Sequence, residues 1–207
     1  MARRHLYQAA VLALALLPAA RLAYGLAADR LGPDPVAELT HETGSWALRL
    51  LLASLAITPL RRIGGLRALA PFRRTLGLLA FFYACCHLLV YAVLDQGLAF
   101  DFLWEDVSER PYITIGLASF LCLLPLAITS TRGWIRRLGK RWVQLHRLVY
   151  VAAIAAVVHF LWLVKADLRE PLMHATVLGT LFAARLLLAF RTREPHSMRA
   201  RSSGPLL

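Results

Sequence analysis

The chain has 207 residues, of which 58% are hydrophobic and only 17% charged, yet 24 Lys and Arg stand against 12 Asp and Glu, a formal net charge of +12. Soluble domains run ~45–50% apolar and ~25% charged, and disordered chains are poorer still in apolar residues, so both classes are excluded. Long apolar runs between the basic clusters also argue against a nucleic-acid binder, which leaves an integral membrane protein whose charge excess needs its own explanation.

Six stretches approach the ~20 apolar residues with which a helix crosses a ~30 Å hydrocarbon core. They are residues 7–26, 43–60, 75–94, 111–129, 148–164 and 171–190. The first follows Arg3 and Arg4 as a signal peptide would, but it is long for that role and no small-x-small cleavage site precedes Asp29, so it reads as a retained span. The runs are rich in Leu and Ala without alternation, which predicts helices and no strands. No internal repeat stands out and no linker divides the chain. The expected architecture is all-α: one six-helix transmembrane domain over residues 1–207, with 191–207 as a cytoplasmic tail.

Sorting the charges by loop predicts the orientation. With the N-terminus inside, 17 basic residues fall in the N-terminus, the 61–74 and 132–147 loops and the tail. Only Arg30, Arg110, Lys165 and Arg169 fall outside, and Arg21, Arg49 and Arg185 lie within spans. Of the acids, 11 occupy the three outer loops and only Glu194 is inside. The reading is N-in, C-in. Arg21 and Arg49, near outer span ends, are expected to snorkel, with pairing to the carboxylates of a bound cofactor as the alternative.

No carboxylate lies deep in a span, which argues against a carboxylate-based proton or cation transporter. Histidine does: His87 in the third span and His159 in the fifth. His87 stands 13 residues beyond Arg74 and His159 stands 12 beyond Arg147, about 20 and 18 Å at the helical rise. Both helices run the same way, so the two imidazoles reach one level in the outer half. Either histidine alone reads as an interhelical hydrogen-bonder. As a depth-matched pair in apolar and aromatic surroundings they suit the two axial positions of a b-type heme.

His146 precedes His159 by 13 residues, about 220° of helix rotation, so the two share a face only if the helix bends. It reads either as interfacial or as a ligand of a second, inner heme, whose partner near position 73 would be Arg73. His174 reads as interfacial, with a propionate or quinone contact as the alternative. His41 falls in an outer loop. Arg73 and Arg74 are topology signals, or else part of a flavin phosphate site or a dock for an acidic reductase. Cys85, Cys86 and Cys122 lie in apolar runs and show no disulfide or zinc spacing, and no CxxCH is present for a c-type heme.

The run from Arg73 through Tyr83–Ala84–Cys85–Cys86–His87 to Tyr91 resembles the MsrQ (YedZ) family. So do Trp142–Val143–Gln144–Leu145–His146–Arg147 with His159–Phe160, Arg49 to Arg61, and Arg110–Pro111–Tyr112–Ile113–Thr114 with Gly116. The resemblance covers roughly positions 5–193 and places the chain in the ferric-reductase-like transmembrane group. It implies a heme-bearing subunit of the bacterial inner membrane. Such a subunit passes electrons from quinol or a cytosolic flavin reductase to a periplasmic molybdopterin enzyme that reduces methionine sulfoxide in oxidised proteins, and FMN is associated with it. It also implies His87, His146 and His159 as heme-ligand positions, although the second third-span histidine of two-heme relatives is missing. No GxGxxG is present, so a reductase domain must come from another chain. The expected role is electron transfer rather than catalysis. A membrane ferric reductase is the runner-up, and a redox-inert scaffold or transporter is the rival from another class.

Overall fold

The computed structural model describes residues 2–191, and among them every regular element is a helix. The tail from 192 onward, with Glu194 and His196, lies outside the described residues. In chain order the helices are α1 (Ala2–Ala27), α2 (Pro35–Ile63), α3 (Phe72–Leu89), α4 (Phe100–Glu109), α5 (Pro111–Ile128), α6 (Arg132–Leu138), α7 (Lys140–Leu145), α8 (Leu148–Leu163) and α9 (Arg169–Arg191). A π-helical turn, Val90–Asp95, prolongs α3.

Six segments are long and apolar enough to cross a membrane: Leu6–Ala27, Pro35–Ile63, Phe72–Asp95, Pro111–Ile128, Lys140–Leu163 and Arg169–Phe190. The six expected spans are therefore present, with two changes at their ends. The second starts at Pro35 and not near position 43. The Asp34 carboxylate accepts the Ala37 N–H at 2.9 Å, Pro35 takes the first helical position, and Glu38 complements the helix dipole. Hydropathy marks only the apolar part of such a helix, so Glu38, His41 and Glu42 are helical rather than loop residues. The fifth segment is broken at His146–Arg147, between α7 and α8. The 95–110 connection, read as a loop, contains the amphipathic helix α4, whose Asp106 is buried beneath Tyr91 and Gln96.

Two hairpins make the centre: α2 lies along α3, and α5 along α8, with α9 packed on α2 and α8 and α1 on α3. The core gathers Leu48, Leu51 and Leu55 of α2, Tyr83 of α3, Leu123 of α5 and Val157 of α8. Ala80, Ala152 and Ala153 are wholly buried, since small side chains let helices approach closely in the absence of a hydrophobic drive between them. Ser54 donates to the Arg73 carbonyl and Ser119 to the Ala152 carbonyl, which ties each hairpin together.

Prolines open helices, and side chains from neighbours close the gaps. Pro18 stands inside α1. Beside it the Tyr83 hydroxyl donates to the Ala15 carbonyl at 2.7 Å and accepts the Ala19 N–H at 3.1 Å. It thus bridges two groups that a straight helix pairs with each other. Pro59 has no N–H to offer Leu55, four residues earlier, and the Arg185 guanidinium donates to that carbonyl at 2.5 Å. Tyr83→Phe removes the first bridge. The expected loss is about 1–3 kcal/mol, read as a lower thermal midpoint in detergent, while Tyr24→Phe, at an exposed ring, leaves the midpoint in place.

Candidate functional site

His87 projects from α3 and His159 from α8, one from each hairpin, and their rings meet. The centroids are 6.2 Å apart and the planes stand at 78°. The depth match read from the charge ruler therefore holds in space. Each Nδ1 is engaged by a backbone carbonyl of the partner helix: His87 with Thr40 of α2 at 2.9 Å, His159 with Tyr112 of α5 at 2.7 Å. A carbonyl only accepts, so both Nδ1 atoms carry the proton and both Nε2 atoms keep a free lone pair. No described residue makes a hydrogen bond to either Nε2. Two imidazoles on neighbouring helices with their Nε2 lone pairs unshared are a donor set that would hold one metal ion between them.

Tyr112 tilts over His159 at 6.5 Å, and the Thr43 hydroxyl stands 3.5 Å from His87 Nδ1; elsewhere along the spans Phe81 of α3 stacks on Phe120 of α5 at 5.6 Å. Among the described residues no three His, Cys, Asp or Glu side chains gather as a metal cage. Cys85, Cys86 and Cys122 are free thiols. Two histidines and no further ligand suit a metal whose remaining positions are filled by a planar macrocycle.

His146 is not part of this pair. It caps α7 at the break before α8, stacks on Trp142 at 3.8 Å, and its Nδ1 donates to the Trp142 carbonyl at 3.1 Å. Its Nε2 is buried without a partner. Arg185 shares that property: its guanidinium lies over Tyr150, and its Nε and Nη1 are buried and unpartnered.

The remaining histidines are engaged by protein groups. His174 is packed inside the bundle. It is 3% exposed, its Nδ1 donates to the Glu170 carbonyl one turn back, and Phe160 packs edge-on against it. His41, on α2, pairs with Glu170 at 3.2 Å. Arg49 does not simply snorkel, because its guanidinium lies over Trp46 and bonds Glu170 at 2.8 Å. Arg21 is 78% exposed and stands 3.9 Å from Glu38. The Arg49–Glu170–His41 cluster joins α2 to α9 at the acidic end, and no spacing signal could have announced a contact across 121 residues.

A multi-pass helical bundle with two facing imidazoles is the class that fold and site define, and comparison with known proteins agrees. Residues 43–157 match the family described as ferric reductase like transmembrane component. A protein of Xanthomonas axonopodis pv. citri, named protein-methionine-sulfoxide reductase heme-binding subunit MsrQ, is 51% identical over 83% of this chain and 79% of its own length. Its namesake in Rhodospirillum rubrum is 48% identical over 93% of both chains. No solved structure matches. The chain belongs to the MsrQ family, within the ferric-reductase-like transmembrane group.

The ion pair at the acidic end is partly exposed, which limits its strength. A double-mutant cycle of Arg49→Gln with Glu170→Gln, read by thermal unfolding in detergent, is expected to give a coupling of up to ~1 kcal/mol.

Proposed function

We propose that this chain is a b-type heme electron-transfer subunit of the bacterial inner membrane. In this reading it serves a periplasmic molybdopterin enzyme that reduces methionine sulfoxide in oxidised proteins. His87 and His159 would hold the heme iron. The observation that carries the reading is the 6.2 Å pairing of two imidazoles whose Nδ1 protons are both tied to backbone. The relatives are named as heme-binding subunits of a protein-methionine-sulfoxide reductase, and that name supports a heme cofactor and a catalytic partner.

Heme held here supplies a one-electron centre within the span. The rest is positioning. The Thr40 and Tyr112 carbonyls fix the tautomer and orientation of each ligand and raise its basicity. The apolar walls exclude water and set the potential. The chain makes and breaks no substrate bonds. The positive-inside rule supports an orientation with the basic loops inside, and electrons run outward from quinol or a cytosolic flavin reductase. His87 lies 8 residues before Asp95, about 12 Å along the helix. The acidic end, with α4 exposing Phe100 and Trp104, is the docking side for the catalytic subunit.

A second cofactor contact belongs to the opposite, basic end. His146 offers a buried, unpartnered Nε2 with Nδ1 already fixed, the state that a further ligand interaction would complete. FMN bound through the basic loops is the other occupant of that end.

Purified protein from heme-supplemented cells is expected to show a Soret band and a low-spin reduced spectrum. His87→Ala or His159→Ala should abolish the low-spin spectrum, while His146→Ala should retain it at the pair. Absence of any Soret band sinks the cytochrome reading in favour of an inert scaffold or transporter. Turnover with chelated iron but not with a purified periplasmic catalytic subunit would favour the ferric reductase instead.

A further inference from the structure

The two histidines sit in one local geometry used twice. The carbonyl that holds His87 belongs to Thr40 and the one that holds His159 belongs to Tyr112, each 47 residues before its histidine. Four residues after each carbonyl stands a glycine, Gly44 on α2 and Gly116 on α5. Thr40, Gly44 and His87 thus recur as Tyr112, Gly116 and His159, each 72 residues later. Further down both hairpins Leu55–Ala56–Ile57–Thr58 recurs as Leu126–Ala127–Ile128–Thr129, with a shift of 71. The sequence reading found no repeat because the residues flanking the glycines, Thr43 and Ser45 against Ile115 and Leu117, do not resemble one another.

The glycines have a definite geometric role. A helical side chain leans toward the N-terminus and covers the turn before it, so the residue at i+4 shields the carbonyl of residue i from the side. Glycine leaves that carbonyl bare, and a second donor can reach it. A Cβ built on Gly44 would meet His87 Nδ1 and Cε1, both at 3.0 Å. One built on Gly116 would meet His159 Nδ1 at 2.7 Å and Cε1 at 2.9 Å. By contrast a Cβ on Gly179, also mid-helix, meets nothing. Glycine inside a helix costs about 1 kcal/mol against alanine in soluble hosts, and here the ring contact supplies the reason for it.

We infer that Gly44 and Gly116 are positioning residues for the two axial ligands, each opening a helix carbonyl to the Nδ1–H of the histidine on the partner helix. This rests on the ligand assignment proposed above. An added methyl group pushes the ring off its carbonyl, and Nε2 then becomes a poorer donor, which disfavours oxidised iron more than reduced.

The test compares Gly44→Ala, Gly116→Ala and the control Gly179→Ala as full-length protein, by heme titration and by redox titration of the absorption spectrum. About tenfold weaker heme retention is expected for the first two. Their midpoint potential should become more positive, by ~59 mV for each tenfold that oxidised heme loses relative to reduced heme. Gly116→Ala should exceed Gly44→Ala because its contact is shorter, and Gly179→Ala should match wild type. If Gly116→Ala does not accumulate, Gly44→Ala decides the matter. Wild-type affinity and potential in the glycine variants, alongside loss of the spectrum in His87→Ala and His159→Ala, overturns the positioning role and leaves the ligands standing. No heme in the wild type removes both.

Discussion

A peptide carbonyl in hydrocarbon has no water to accept from, so it must find its donor inside the protein, and a donor must likewise find its acceptor. Most of the distinctive contacts in this chain answer that demand. Tyr83 bridges Ala15 and Ala19 beside Pro18, and Arg185 takes the Leu55 carbonyl that Pro59 cannot serve. The histidines obey it as well. Each Nδ1–H must be satisfied, a helix carbonyl is the group at hand, and satisfying one ring nitrogen leaves the other free for a ligand.

The same constraint accounts for where charge is allowed. Glu170 pairs with both Arg49 and His41 at the end of the bundle where the chain enters α2 and α9. Asp106 is buried but surrounded by the Tyr91 hydroxyl, the Gln96 amide and the Arg110 guanidinium. Arg185 and His146 retain buried polar atoms without partners. In the proposed function these contrasts have a purpose. A ligand pair tied to backbone by both rings changes little between oxidation states, which suits a relay that transfers electrons and does no bond chemistry.

Much of this was legible along the chain because lipid imposes length and polarity on each segment separately. Six apolar runs became six helices, and the basic loops provided a ruler that set His87 and His159 at one level. Where polarity and helicity part company the reading failed. The polar first turns of α2 were taken for loop, although Asp34 and Pro35 carried a start signal. Helix α4 was read as loop because its acids interrupt the apolar pattern. Nor does the place of His174 near a helix end show that Phe160 and the Glu170 carbonyl cover it.

The sequence alone determined the number of spans, the bias of charge to one end and the common depth of two histidines, since each depends on local hydropathy and a fixed rise per residue. Tertiary structure decided which helices are neighbours, and so which carbonyl each imidazole meets, that Glu170 answers Arg49, and that α7 breaks from α8 at His146. It also exposed the repeat behind Gly44 and Gly116. A glycine is silent in a composition count and acquires meaning only when another helix brings a ring against it.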